Sequence, residues 1–193
     1  MEKEKIKSIF SNIPTIETDR LILRRILPSD FRDMYEYSCS SVVTKYLLWK
    51  PHKSIEYTRQ YSLYLQDRYR IGEFYDWAIT VKGDGKMIGT VGFSAIDFNN
   101  NSAEIGYVLN ESYWHHGYAS EAIRAVLKFG FIRLEFDKIS AKYMQKNSAS
   151  RRTLDRCGFN FEKTVPRAIK RRFGYTDVSI CSVLSTEFSK NHE

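Results

Sequence analysis

Ala103-Glu104-Ile105-Gly106-Tyr107-Val108-Leu109, followed closely by Tyr113-Trp114-His115-His116-Gly117-Tyr118-Ala119-Ser120-Glu121-Ala122, is the stretch that decides how this chain folds. Its first half follows the polar turn Asn99-Asn100-Asn101-Ser102 and reads as a strand. Its second half opens a helix. From Ala119 the apolar or small residues fall at 119, 122, 123, 126, 127, 130 and 131, while Glu121, Arg124 and Lys128 take the other face. The loop between them contains Gly117, where the backbone approaches a ligand without a Cβ in the way. The N–H groups of the helix's first turn lack intrahelical partners, and the dipole adds roughly half a positive charge at that end. A phosphate or pyrophosphate is the natural occupant; an ordinary tight turn is the other reading of a single glycine.

Working outward, Phe74 to Val81, the turn Lys82-Gly83-Asp84-Gly85-Lys86 and Met87 to Phe93 form a hairpin, so three antiparallel strands are expected in sequence with the one at 103–109. Further upstream, Arg20 to Ile26 reads as a strand, Pro28 introduces a helix to about Cys39, and a short helix covers Val42 to Leu48. A helix follows from Ser54 to about Arg70. There Tyr57, Tyr61, Tyr64 and Leu65 mark one face, read as a core face with hydroxyls at its rim or as a substrate-lining wall. Downstream come a strand at Asp137 to Tyr143, a helix at Ser148 to Cys157 closed by Gly158, and strands at Phe159 to Glu162 and Tyr175 to Leu184. This order predicts a mixed α/β sheet with helices packed on it.

At 193 residues and without a long Pro/Gly/Ser linker, the chain reads as one domain, 15–186, after a charged lead-in at 1–14 and before a tail at 187–193. The 42% hydrophobic content excludes a disordered chain, and the net charge of +7 favours anionic partners. Cys39, Cys157 and Cys181 form no close pair, so neither a disulfide framework nor a CxxC metal site is expected. The charged N-terminus and the lack of a long apolar run predict a cytoplasmic protein that does not enter a membrane.

Together, 103–109, Tyr113-Trp114 and Gly117 to Ala122 resemble the cofactor motif of GNAT-superfamily N-acetyltransferases, in the ribosomal-protein-acetyltransferase-like branch. Three further segments match that branch in order: Glu17-Thr18-Asp19-Arg20-Leu21-Ile22-Leu23-Arg24, Asn147-Ser148-Ala149-Ser150 with Cys157-Gly158-Phe159, and Gly174-Tyr175-Thr176-Asp177. The resemblance spans about residues 15–186. It implies a GNAT-like, mostly antiparallel, splayed sheet of about seven strands with four to five helices. It also implies acetyl-CoA as acetyl donor, its pantetheine arm along Tyr107, Val108 and Leu109, and its pyrophosphate on the amides of His115, His116, Gly117, Tyr118, Ala119 and Ser120.

One residue departs from the pattern. The family usually has glycine where this chain has His115, so either the Cβ restricts the loop or the histidine pair helps to hold phosphate. Transfer to an amine requires loss of the amine's proton. Alternation puts Glu104, Gly106 and Val108 on one face of their strand, and apolar surroundings there would push the Glu104 carboxyl upward. The resemblance makes Glu104 the proposed base, with an ion-paired structural residue as the alternative. It points to Ser150 as the acid, or as a hydroxyl that binds thiolate or cofactor, and to Asn147 as a pantetheine ligand or helix cap.

Lys163, Arg167, Lys170, Arg171 and Arg172 form a basic stretch, read as solvated surface or as a loop facing an acidic acceptor or RNA, with Phe173 and Tyr175 the sparse aromatics for stacking. Arg151, Arg152 and Arg156 are candidates for the cofactor's terminal phosphate. Trp49 and Trp77 read as packing, and Trp114 as an anchor of the phosphate loop. The expected activity is direct acetyl transfer to a primary amine. A protein N-terminal α-amine of ribosomal type comes first, then a small amine such as an antibiotic, polyamine or amino acid. A non-catalytic acyl-CoA-binding module is the rival class, and nucleic acid is not expected as substrate. A monomer or a homodimer is compatible with the sequence.

Overall fold

Ile6 and Phe10 stand one helical turn apart in the charged lead-in, and that i, i+4 pair is the apolar face of α1 (Lys3–Ser11), which buries both. In the computed structural model, which describes residues 3–171 and 174–190, the chain forms two compact units. Residues up to 92 join 107–126 in the first; 93–106 and those from 127 onward make the second.

The first unit continues through β1 (Ile16–Glu17), β2 (Leu21–Arg24), a 3-10 turn at Pro28–Asp30, α2 (Phe31–Ser38), a second 3-10 turn at Val43–Tyr46, α3 (Ile55–Arg70) and β3 (Asp76–Val81). β4 (Met87–Asp97), β5 (Ser102–Leu109) and α4 (Tyr118–Ile132) each have one end in either unit. β1 pairs antiparallel with β2 at Ile16–Leu23, β2 with β3 at Leu21–Val81, and β3 with β4 at Asp76–Gly92. The corner from β2 to α2 is fixed by Arg24, whose guanidinium donates to both carboxylate oxygens of Asp30 at 2.7 and 2.8 Å. Trp77 is fully buried, its indole N–H on the Pro14 carbonyl at 2.7 Å and the Phe10 ring edge-on at 5.5 Å.

The second unit adds β6 (Lys138–Met144), α5 (Ser148–Arg156), β7 (Asn160–Arg171), β8 (Gly174–Leu184) and α6 (Ser185–Lys190). β5 and β6 run parallel, and β8 pairs antiparallel with both β6 and β7. Among the described residues, strand neighbours follow the order β1-β2-β3-β4-β5-β6-β8-β7: the mixed sheet with α-helices that the sequence predicts, mostly antiparallel as the resemblance implies, with eight strands where about seven are expected. No described helix is long and apolar enough to cross a membrane.

Two expectations are corrected. The buried side of α3 is Thr58, Ser62, Leu65 and Tyr69, whereas Tyr57, Tyr61 and Tyr64 are exposed, so the tyrosine stripe is not a core face. Second, β7 runs through the basic stretch to Arg171, so Lys163, Arg167 and Lys170 lie on a strand paired with β8 rather than in a loop. A register shift between Val165 and Ile169 absorbs Arg167, which has φ +52° and gives its N–H to Asp177 Oδ1 at 2.8 Å. Arg172 and Phe173 lie outside the described residues. The lead-in contains α1, and α6 starts at Ser185 and runs into the segment read as the tail, burying Phe188 against Phe131 at 5.1 Å.

Candidate functional site

The loop from β5 into α4 is shaped by its own side chains. A 3-10 turn at Glu111–Tyr113 is capped by Asn110, whose Oδ1 accepts the Ser112 N–H at 3.1 Å. The Trp114 indole N–H then reaches back to the Leu109 carbonyl at 2.8 Å, anchoring the loop to the strand end as expected. His115 takes φ +66° and Gly117 φ +82°. Histidine is among the non-glycine residues that tolerate this left-handed region, so the loop keeps a glycine-type conformation at His115 despite its Cβ. His116 bonds the Trp114 carbonyl through Nδ1 at 2.8 Å, which puts the proton on Nδ1, and its ring stacks on Tyr118 at 5.9 Å.

The Glu121 N–H donates to the Gly117 carbonyl at 3.1 Å, so the amides of Gly117, Tyr118 and Ala119 precede the helix's first internal bond. They form the open, positive end of a 15-residue helix. His115, His116 and Gly117 are exposed, Tyr118 and Ala119 half-buried, and Ser120 buried.

Arg20 straps this loop in place. Its guanidinium donates to the His116 carbonyl at 3.0 Å, lies 4.7 Å over the Tyr118 ring, and pairs with Glu121 through Nε at 2.7 Å and Nη2 at 2.6 Å. Glu121 also accepts the Thr18 hydroxyl at 2.6 Å and the Arg20 N–H at 2.9 Å. Burial pushes the Glu121 carboxyl up, but the bonds from Thr18 and Arg20 outweigh it and hold the group below its ordinary value. Glu121 is therefore a structural pin rather than a solvated residue of the helix's outer face. The matched Thr18, Arg20 and Glu121 were visible as motif letters, but periodicity gave no sign that they meet.

Glu104, Asn147 and Ser150 belong to the second unit. Glu104, Gly106 and Val108 are half-buried while Ala103, Ile105 and Leu109 are buried, as alternation predicts, but Tyr107, expected on the face of Ile105 and Leu109, is half-buried too. Apolar surroundings for Glu104 are not found: Oε2 lies 2.6 Å from Lys142 Nζ, and Oε1 accepts from the Ser94 hydroxyl at 3.4 Å. Asn147 caps α5 by accepting the Ser150 N–H at 3.1 Å, which leaves half-buried Ser150 in the first helical turn. Arg151 pairs with Asp155 at 3.7 Å on the same helix. Cys157 and Cys181 are buried, and burial pushes the Cys181 thiol up to about 12, a poor setting for a nucleophile.

Residues 20–160 match the family model described as Acetyltransferase (GNAT) domain. An uncharacterized N-acetyltransferase, p20 of Bacillus licheniformis, is 32% identical over 175 residues, covering 91% of this chain and 98% of the relative. A GNAT-family acetyltransferase from Bacillus anthracis superposes with a TM-score of 0.81 at 27% identity, covering 90% of this chain and 100% of that one. RimL, a ribosomal L7/L12 alpha-N-protein acetyltransferase in complex with coenzyme A, has the same fold at a TM-score of 0.76 and 24% identity, covering 89% and 98%.

Proposed function

The chain belongs to the acetyltransferase (GNAT) domain family and is an acyltransferase, and from that premise we propose that it moves the acetyl group of acetyl-CoA onto a protein N-terminal α-amine, a ribosomal protein's first, in the cytoplasm. The observation that carries the reading is the Arg20-strapped loop, whose left-handed His115 and Gly117 present helix-start amides as a pyrophosphate cradle. Acetyl-CoA supplies the activated acyl group. The pantetheine runs along Tyr107, Val108 and Leu109, and the pyrophosphate sits on the amides of 115–120. RimL, which has the same fold and is solved with coenzyme A, supports a coenzyme A thioester as the donor here.

Chemistry follows by direct attack. The amine's lone pair forms a bond to the thioester carbonyl carbon, and the C–S bond breaks as the tetrahedral adduct collapses. Glu104 relays the proton the nitrogen loses on bonding, and Ser150, held at the α5 start by Asn147, hydrogen-bonds the departing sulfur, which leaves as the CoA thiol.

The test is thiol release from acetyl-CoA with peptides bearing a free α-amine, their N-acetylated counterparts, spermidine and kanamycin. Release with free-amine peptides alone is the expected result. Release only with the small amines would replace the acceptor class, and cofactor binding without release from any amine would favour a non-catalytic acyl-CoA-binding module.

A further inference from the structure

We propose that Asp76 is the acceptor-side carboxylate of this enzyme: it receives the acceptor's primary ammonium beside the hydroxyls of Tyr37 and Tyr61, against an exposed aromatic cluster that Tyr61 joins, and takes one proton from it. The inference rests on acetyl transfer to an amine as proposed above.

Asp76 opens β3 inside an otherwise apolar and aromatic run, Phe74 to Val81. Alternation sends Trp77 to the face packed by Phe10 and Asp76 to the opposite face. It stands across from Gly92, where a Cβ would overlap Asp76 Oδ1, so glycine makes the room for this carboxylate. The Asp76 carbonyl accepts the Tyr69 hydroxyl at 2.6 Å. Its two carboxyl oxygens meet no hydrogen-bond donor and no cation among the described residues, yet neither is sealed from solvent. Among the described residues, Tyr37 on α2 and Tyr61 and Tyr69 on α3 are the titratable side chains near enough to feel its charge, all hydroxyls and none a counter-charge. Desolvation holds the carboxyl up at about 7. A half-buried acid in this condition lacks a cation, and an organic ammonium supplies one.

Tyr61 links the carboxylate to a surface suited to such a ligand. Its ring lies 5.7 Å from His52 and 6.3 Å from Tyr64; His52 in turn meets Tyr57 at 4.9 Å and Trp49 at 5.4 Å. Trp49, Tyr57 and Tyr64 are 38%, 54% and 53% exposed, and their faces attract cations. His52 adds no competing positive charge near neutral pH. Burial lowers it, and its Nδ1 lies within 2.8 Å of the Thr58 hydroxyl and 3.0 Å of the Ser38 hydroxyl.

The location fits the reaction. The Asn110 N–H on the Ile88 carbonyl and Leu109 beside Gly89 set a register that puts Tyr107 opposite Val91, which pairs with Trp77. Asp76 therefore lies about 10 Å across two strand spacings from the backbone proposed to carry the pantetheine. Proton balance also fits. The ammonium gives one proton to Asp76 and becomes the free amine; the second leaves the nitrogen on bond formation and ends on the CoA sulfur. Asp76 then returns its proton to water.

The test is carboxyl-carbon NMR of the full chain labelled at aspartate Cγ and saturated with CoA, titrated with phenethylamine or with its neutral analogue 2-phenylethanol. One resonance, absent in Asp76→Asn, should titrate near pH 7 and move to lower pKa with the amine alone. Asp76→Asn should weaken phenethylamine binding about 10- to 100-fold while CoA affinity stays unchanged. Tyr61→Phe should weaken it less and guards against a folding defect in the first variant. A resonance unmoved by saturating amine, or moved equally by the alcohol, overturns the proposal. The titration is repeated without CoA, so failure of CoA to bind refutes the acetyl-transfer reading while Asp76 is still read on its own.

Discussion

Replacing Glu121 with alanine removes the acceptor that ties three parts of the first unit together. The carboxylate takes the Thr18 hydroxyl at 2.6 Å, the Arg20 N–H at 2.9 Å and the Arg20 guanidinium at 2.6 and 2.7 Å, and its side chain is only 14% exposed. Hydrogen bonds to a charged group contribute roughly 1.5–3 kcal/mol each, but the Arg20 side chain is 49% exposed and regains water when the partner is lost. A net loss of about 2 kcal/mol follows, which for a chain of this size is a drop in melting temperature of about 4–8 °C. Thermal unfolding at pH 7.5 reads it directly. The pH dependence carries a sign as well. The folded carboxyl is held below its ordinary 4.5, so this stabilisation is present above that value and is lost as pH falls through the folded one. The gap between wild type and Glu121→Ala should therefore narrow as pH falls below 4.5 and close once the folded carboxyl is protonated. A variant melting within about 1 °C of wild type at pH 7.5 would refute the strap.

Other substitutions probe the remaining parts. His115→Gly should leave stability within about 1 kcal/mol of wild type, because relief at φ +66° is offset by a freer unfolded chain, whereas β-branched His115→Val should lose more than about 1 kcal/mol; urea unfolding separates the two. Glu104→Gln should lower turnover by about 100-fold or more with little change in acetyl-CoA affinity, and an unchanged rate removes Glu104 from the mechanism. Ser150→Ala should slow single-turnover transfer, and a change confined to cofactor affinity would make its role binding.

Where hydropathy and burial coincide, as in α4, the sequence alone was enough: Ala122, Ile123, Val126 and Leu127 are all fully buried. They part company in α3. Ser62 and Thr58 turn their hydroxyls onto the Arg59 and Ser54 carbonyls, at 2.7 and 3.4 Å, so small polar residues fill buried positions while tyrosines stand outside. Hydropathy reads that face backwards. In β7 the register shift around Arg167 breaks the alternation that would have extended the strand. The loop's chemistry is legible in Gly117 and the helix after it, and His115 stands out against the family pattern, but its left-handed backbone is set by the folded loop and not by its letter. Asp76 stands out in the sequence only as an acid within an apolar and aromatic run; that its carboxyl oxygens meet no donor or cation among the described residues is a property of the fold.

The most direct check of the account is isothermal titration of CoA and of pantetheine, which lacks the pyrophosphate, into wild type and into Gly117→Val. Gly117 has φ +82° and a Cβ there meets Arg20 Nη2 at 3.4 Å, so valine should distort the loop without touching β5. A pyrophosphate site on this loop requires that CoA bind wild type far more tightly than pantetheine does, and that Gly117→Val bring the two affinities together. Equal binding of both ligands by wild type, or CoA affinity untouched by Gly117→Val, would contradict a pyrophosphate site on this loop.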